Sequence, residues 1–437
     1  MTLKNISTFM FILISILVVD NILHQLGFYG GLDIENILSS SFGVYIFTLT
    51  VVVSFVIGQY LFMHFAKKFA EDKLVIRLPP YFDLIFKTVR IVQCSTASIL
   101  AVMIFQMLTM SRYNIVLLVA VLSINFAFMS VISGVMSYKF FSWLKFNRSI
   151  TVTLLGISFS LFTLFGILVS ILFSYVLMTG TNSSDVAQSQ HLKKDSAFML
   201  YQYAGIPFRL GFLILWFGTI LLLRNYSTIV GKYKFWTLMS LPIVFSLTAQ
   251  VFLFGIIKQT IIVPSLLSFL GVSIGTIIFA FTLLEMAKSM RRIHNDAVGN
   301  YLTLSAYGIV IFFASNGYSV IHAPYPPFTA ACWSFAGFGA ILFTFGIFYS
   351  AISISLDLGL RKSIKQMATS QSRLLDSIGT AQMEEEMNKK ILTIVKEQGE
   401  ILNEQTGIHQ EVSKENLNQY VDEVLTELKQ FREEHKN

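Results

Sequence analysis

The chain has 437 residues, of which 54% are hydrophobic and only 13% are charged. Average soluble domains carry about 25% charged residues, so this composition favours a protein that is solvated by lipid. The formal net charge is +7, but the basic residues occur in short clusters between apolar runs. Such clusters are typical of the loops that orient membrane spans. We therefore expect membrane lipid, and no nucleic acid, to be the partner of this positive charge.

Ten apolar runs are each long enough to cross a membrane as a helix, which takes about 20 residues. Only helices satisfy their own backbone hydrogen bonds in lipid over runs of this length. The predicted fold is therefore an all-α, polytopic transmembrane helix bundle over residues 1–357, followed by a cytoplasmic helical tail over residues 358–437. The predicted spans lie near residues 5–27, 43–65, 90–110, 114–137, 151–178, 204–223, 235–257, 262–286, 300–319 and 328–355.

Lysine and arginine counts in the loops predict how the spans are oriented, because cytoplasmic loops carry an excess of positive charge. Loop 66–90 contains six of these residues and loop 138–150 contains three, whereas loops 28–42 and 319–327 contain none. Rich and poor loops alternate along the whole chain. Both termini are therefore predicted to be cytoplasmic, in a multi-pass protein of the cell membrane.

Several polar residues are predicted to lie at one depth, in the outer third of the membrane. They stand 14 to 16 residues along their helices from the nearest cytoplasmic lysine or arginine, which corresponds to about 21–24 Å. This predicted polar layer consists of Asp20 with the adjacent Asn21, Gln106, Asn125, Arg209 and Gln250.

The two charged members of the polar layer, Asp20 and Arg209, leave two interpretations open. Charge in a lipid core is costly, so both side chains are expected to face the bundle interior, where they can pair. In the first interpretation the layer lines a pocket that opens to the outside, and Arg209 holds an anionic or polar ligand. In the second, the pair is structural and the amides bridge neighbouring helices.

No catalytic or metal-binding pattern accompanies the spans. No two of the seven histidines are three or four residues apart, and none stands beside a cysteine in a ligand pattern. The HExxH, GxSxG, P-loop and dinucleotide-binding motifs are absent. We therefore expect a non-catalytic protein without a metal site or a cofactor. Cys94 and Cys332 are predicted near opposite membrane faces, too far apart for a disulfide.

The last predicted span, 328–355, continues in helical period into polar sequence from Asp357 onwards. We expect one continuous helix that leaves the membrane and enters the tail. Further on, apolar residues recur at alternating spacings of four and three, which predicts a coiled coil over 380–431 with a second copy of the chain or a cytoplasmic helical partner. The alternative is a single amphipathic helix folded against the basic inner face of the bundle. The first apolar stripe consists of Met387, Ile391, Ile394, Ile401, Ile408 and Val412.

The last predicted span and the start of the tail resemble a known group of proteins. The sequence SRLLDSIGTAQMEEEM follows a span that ends FYSAISISLDLGLRKSI, with YLTLSAYG and APYPPF upstream. This arrangement resembles archaeal multi-spanning membrane proteins that have a cytoplasmic helical tail and no assigned activity. The resemblance implies a prokaryotic cell membrane and no particular substrate.

Two functions from different classes fit these observations. The first is a membrane sensor or signalling scaffold, in which the last span passes information from the membrane body to the cytoplasmic coil. The second is a secondary transporter of a small polar or anionic solute with a regulatory tail, based on the ten spans and on Asp20 and Arg209.

Overall fold

The computed structural model of the chain describes residues 3–29, 37, 39–75, 81–179, 203–253, 262–293, 295–316, 325–366 and 370–406. This part of the chain contains helices and turns and no strand. Nine of its helical segments are long and apolar enough to cross a membrane. The predicted all-α, multi-pass architecture is confirmed at that level.

The helices follow the predicted spans closely, because each apolar run is bounded by polar or turn-forming residues. A 3₁₀ turn (Arg224–Tyr226) and a short helix (Ser227–Val230) follow the helix that ends at Leu223. The labelled helices are α1 (Leu3–Tyr29), α2 (Ser41–Val75), α3 (Tyr81–Met110), α4 (Ile115–Phe146), α5 (Ile150–Thr179), α6 (Ile206–Leu223), α7 (Lys232–Leu253), α8 (Ile262–Arg292), α9 (Asp296–Ala314), α10 (Ala330–Ser334), α11 (Ala336–Leu356), α12 (Leu358–Gln366) and α13 (Ser370–Thr406).

The predicted seventh span, 235–257, corresponds to α7 and differs from the other nine. The segment is helical from Lys232 to Leu253 and packs against α8. It is not among the nine candidate spans, and residues 254–257 of the prediction lie outside the described part of the chain. The tenth span therefore stays a prediction.

The last candidate span, which combines α10 and α11, forms the centre of the bundle. In its most apolar stretch, 94% of the residues are buried, whereas the corresponding share in the other eight candidate spans lies between 28% and 67%. α11 packs mainly against α9, with α4 and α13 on its other sides. A spanning helix that is covered by protein on all sides has little contact with lipid, so neighbouring helices decide its sequence.

Small residues set the distance between α9 and α11. A side chain on Gly308 of α9 would collide with the backbone of Phe343. A side chain on Gly346 of α11 would collide with Tyr301 and Ser305 in the same way. Close packing of this kind is the main source of helix association in lipid, where the hydrophobic effect between helices is absent.

The expected continuous helix from residue 328 into the tail is interrupted twice, so that expectation is wrong. The first interruption lies at Phe335, between α10 and α11. The second lies at Asp357, whose backbone is extended and whose Oδ1 accepts a hydrogen bond of 2.9 Å from the Leu360 amide. Asp357 therefore caps the start of α12, as short polar side chains commonly do.

The α9–α11 contact predicts an unequal response to two glycine substitutions. We expect Gly346→Ala to lower the free energy of unfolding by about 1–3 kcal/mol, because the added methyl group overpacks a closed interface. Gly218→Ala is the control, since its added carbon would meet its nearest neighbour at 3.7 Å, an ordinary contact. Denaturant unfolding of the purified protein measures both. Equal stability of the two variants would contradict close packing at Gly346.

Candidate functional site

Asp20 lies in a buried contact between α1 and the segment that precedes α11. Its Oδ2 accepts a hydrogen bond of 3.2 Å from the backbone amide of Cys332 in α10. The Cys332 thiol in turn donates to the carbonyl oxygen of Leu17 at 2.8 Å. His24 Nδ1 lies 3.1 Å from the carbonyl oxygen of Phe328, one turn further along α1.

The physical reason for this contact is the irregular backbone around Thr329, which has a left-handed φ of 77°. Irregular backbone at membrane depth is tolerated where protein buries it and satisfies its polar groups. The start of a helix also leaves amides unpaired, and a carboxylate is a favourable acceptor there. The position of Asp20 therefore favours the structural interpretation, with a backbone amide as its partner.

The structure does not bring Asp20 and Arg209 together. In the described part of the chain these two side chains form no ion pair. Arg209 is half-buried on α6, and α6 packs against α5 and α8, whereas α1 packs against α2, α9 and α10. Equal depth in the membrane did not make the two residues neighbours.

The amides of the predicted polar layer are dispersed as well. Asn21 donates to the carbonyl oxygen of Ala314 at 3.1 Å, which joins α1 to α9. Asn125 donates to Thr96 Oγ1 at 3.1 Å and to the Val121 carbonyl oxygen at 2.7 Å. The Asn21–Ala314 and Asn125–Thr96 bonds bridge helices, as the second interpretation expects, whereas the bond to Val121 stays within α4.

Of the remaining two members of the layer, Gln106 and Gln250, only Gln106 has a described side chain. Gln106 Oε1 accepts from the Asn114 amide at 2.9 Å and closes the turn between α3 and α4. Only the helical backbone of Gln250 is described, and its side chain lies outside the described residues.

A cavity of about 480 Å³ lies instead at the other end of the bundle, between α4, α11 and α13. This is the end that loop 138–150 predicts to be cytoplasmic. The polar residues that line it are Tyr138, Lys139, Ser142, Lys145, Thr344, Glu385, Asn388 and Lys389. Among the described residues, no group of three or more His, Cys, Asp or Glu is arranged to hold a metal ion.

A set of five side chains, which we call the tail clamp, holds α13 against α4 beside this cavity. It consists of Lys139 and Trp143 from α4 and Gln382, Glu385 and Lys389 from α13. The Lys139 ammonium group lies 2.9 and 2.8 Å from the two Glu385 carboxylate oxygens. Lys389 binds the same carboxylate at 2.7 Å, and Trp143 Nε1 donates to Gln382 Oε1 at 2.9 Å.

The ion pair at the centre of the tail clamp is largely shielded from water, whereas its third charged member, Lys389, is 67% exposed. The Lys139 and Glu385 side chains are 13% and 11% exposed. The Lys139 ammonium group also lies 5.0 Å from the centre of the Phe348 ring, where the aromatic face attracts a cation. Burial raises the pKa of Glu385, but the hydrogen bonds and charges of Lys139 and Lys389 outweigh it, so the pKa lies below its usual value.

The first half of α13 is therefore docked along the bundle. Its buried apolar residues include Leu374, Leu375 and Ile378, and the Asn147 side chain donates to the Ser377 carbonyl oxygen at 3.4 Å. Docking of this part agrees with the alternative of a helix folded against the bundle, and for the rest of 380–431 that alternative stays a prediction. Sequence reasoning did not identify the tail clamp, although Lys139 and Trp143 stand four residues apart, on one face of a helix.

The predicted coiled-coil stripe begins where docking ends. Met387 is 37% exposed and Ile394 is 54% exposed, so this apolar face is not covered by the bundle. The end of the predicted coil, residues 407–431, lies outside the described part of the chain. The coiled coil and its partner stay predictions.

Replacing Asp20 separates its structural role from a role in transport. Asp20→Leu leaves the buried Cys332 amide without its acceptor, and we expect a loss of about 1–3 kcal/mol in stability. Asp20→Asn keeps a side-chain oxygen at the same place and should lose clearly less. Thermal unfolding measures both variants. A fully stable Asp20→Leu protein would contradict the structural role.

The tail clamp predicts that α13 docking depends on Glu385 and on pH. A lowered pKa means that Glu385 stabilises the docked state fully above its usual value of 4.5. That stabilisation is lost as the pH falls through the lower pKa of the docked state. We expect Glu385→Gln to cost about 1.5–3 kcal/mol of docking free energy at neutral pH.

Spin labels on Tyr233→Cys and Thr393→Cys, in a Cys94→Ala background, report the distance between the bundle and α13. Both labelled positions are exposed, and Cys332 is buried. Glu385→Gln should broaden the distance distribution at neutral pH. In the protein that keeps Glu385, low pH should have the same effect. Glu397→Gln is the matched control, because Glu397 is exposed on the same helix. An unchanged distribution in Glu385→Gln would contradict the tail clamp.

Comparison of the chain with protein-family models, with curated proteins and with solved structures finds no match. Function therefore has to be argued from the geometry of this molecule. Two regions bear on function: the contact of Asp20 with α10 and the cavity beside the tail clamp. The first satisfies backbone groups, and the second joins the membrane body to the tail.

Proposed function

We propose that this protein is a non-catalytic sensor or signalling scaffold of the cell membrane. In this proposal the state of the spans is passed to the cytoplasmic tail by docking and release of α13. The observation that carries the proposal is the tail clamp, in which Glu385 of α13 is held by Lys139 of α4. The clamp is the contact through which a change in α4 or α11 would reach the tail.

The chemistry of the tail clamp suits a contact that opens and closes. When the contact separates, water hydrates the carboxylate and the two ammonium groups strongly. Undocking therefore costs less free energy than the separation of a purely apolar contact would. A signal shifts such an equilibrium by as much as it favours one state over the other. The buried Leu374 and Ile378 anchor the helix nearby.

Release of α13 has a consequence for the predicted coil. The apolar stripe that starts at Met387 is exposed beyond the docked part. Undocking would add residues 380–386 to this free length, which favours pairing of 380–431 with a second copy of the chain or with a cytoplasmic helical partner. The tail clamp would thus control how much helix is free to pair.

Secondary transport with a regulatory tail is the second function that the sequence predicts, and we rank it lower. It requires Asp20 and Arg209 to face one pathway through the bundle. Asp20 instead accepts a hydrogen bond from the Cys332 amide, and α6, which carries Arg209, packs against α5 and α8. No contact described above favours a pathway for a solute.

The proposal predicts that tail contacts in the cell depend on the clamp. We expect Glu385→Gln to change the set of cytoplasmic neighbours that chemical crosslinking captures on the full-length protein, because it frees α13. Glu397→Gln should leave that set unchanged. Quantitative mass spectrometry of the crosslinked products, at matched protein levels, provides the measurement.

Two outcomes would contradict the sensor proposal. One is an identical neighbour set in Glu385→Gln and in the unaltered protein, although spin-label distances show that α13 is released. The other is an identical set after residues 380–437 are deleted. Either result would mean that the tail carries no information from the spans.

A further inference from the structure

The cavity beside the tail clamp opens on a side of α4 that we predict to face lipid. Two of its lining residues on α4, Val135 and Tyr138, are 39% and 74% exposed. Both belong to the predicted fourth span or to its end, where exposed apolar and aromatic side chains face the bilayer or its interface. The occupant of the cavity can therefore enter sideways from the membrane.

The residues that line the cavity extend along α4. On α4 it reaches from Ile132 to Phe146, a separation of 14 residues or about 21 Å. Its volume lies within the usual range of ligand sites, about 300–1,000 Å³. Most of the apolar lining forms one wall, made of Ile132, Val135, Met136, Ile341, Phe345 and Phe348, and Phe146 lies next to Lys145.

Charge is concentrated at one end of the cavity. Three lysines, Lys139, Lys145 and Lys389, line it together with a single carboxylate, that of Glu385, so the lining carries 3 − 1 = +2. Lys139 and Lys389 share this carboxylate. Lys145 lies exposed in the last turn of α4. An anion beside these lysines would offset the remaining positive charge.

The order of these features matches one class of molecule. An apolar wall leads along α4 to a cationic end at the predicted cytoplasmic surface, as acyl chains lead to an anionic headgroup in a lipid. Basic pockets between spans on the cytoplasmic side are typical headgroup sites. A soluble anion would leave the apolar wall unused, and a zwitterionic lipid would not neutralise the excess charge.

We infer that this cavity binds one anionic phospholipid from the cytoplasmic leaflet. An acyl chain lies along the apolar wall, and the phosphate lies near Lys145 and Lys389, with Ser142 and Asn388 as hydrogen-bonding neighbours. The inference rests on the proposed function and deepens it by naming the class of ligand. Because the headgroup touches both α4 and α13, the bound lipid stabilises the docked tail.

The test compares phosphatidylglycerol with phosphatidylcholine on the full-length protein in lipid nanodiscs. Native mass spectrometry of the protein released from them should show one phosphatidylglycerol retained in preference to phosphatidylcholine. The Lys145→Gln/Lys389→Gln variant should lose this preference by about fivefold per lysine, or about 25-fold in all. Lys232→Gln/Lys234→Gln is the matched control, since both lysines are exposed outside the cavity.

A second variant tests the apolar wall without altering charge. Val135→Trp narrows the cavity at its open side, from a position that is 39% exposed, where a larger side chain is tolerated. We expect it to reduce phosphatidylglycerol retention to the level of phosphatidylcholine. The spin labels on α7 and α13 should show a narrower distance distribution in phosphatidylglycerol than in phosphatidylcholine, and this difference should vanish in both cavity variants.

Equal retention of the two lipids by the unaltered protein would overturn the inference. So would an equal loss in the Lys232→Gln/Lys234→Gln control, which would indicate non-specific lipid around the bundle. If Glu385→Gln releases α13 while phosphatidylglycerol has no effect, the sensor proposal stands and the lipid site is lost. If the cavity lysines retain the lipid but tail contacts never change, the lipid site stands and the sensor proposal is lost.

Discussion

The burial of α11 in the middle of the bundle is the constraint on which the other contacts depend. A spanning helix that is enclosed by protein must meet its neighbours closely, and Gly308 and Gly346 allow α9 to approach its backbone. The same burial obliges the irregular backbone before α11 to find polar partners inside the protein. Asp20 and His24 of α1 supply them at Cys332 and Phe328. A carboxylate within a predicted membrane span thus completes the fold.

The tail clamp follows from where α11 ends. Asp357 interrupts the helix and starts α12, which lets α13 return to the bundle and pack along α4 and α11. The ion pair of Lys139 and Glu385 is then enclosed by Trp143 and Phe348. Partly buried ion pairs of this kind add little net stability compared with apolar packing, but they define the register of a contact well. This property would suit the proposed docking and release of α13.

The cavity and the tail clamp share Lys139, Glu385 and Lys389. In the proposed function, this overlap would link membrane composition to the position of the tail, because a charge in the cavity would act on the same lysines that hold α13. Such coupling would require no long pathway through the bundle, only a change in the balance of charge at the end of α4.

The sequence alone determined the helical class, nine of the spans and the helical character of the tail's first part, because lipid admits few alternatives for an apolar run of about 20 residues. Depth could also be estimated from helical rise. Which residues are neighbours could not be predicted from depth, because depth is one coordinate and the position of a helix within the bundle needs two more. Asp20 and Arg209 were matched in depth, yet packing placed them on different helices that contact different partners. The breaks at Phe335 and Asp357, and the return of α13 to Lys139, were decided by tertiary structure, since only the folded bundle brings the polar groups of distant segments into contact.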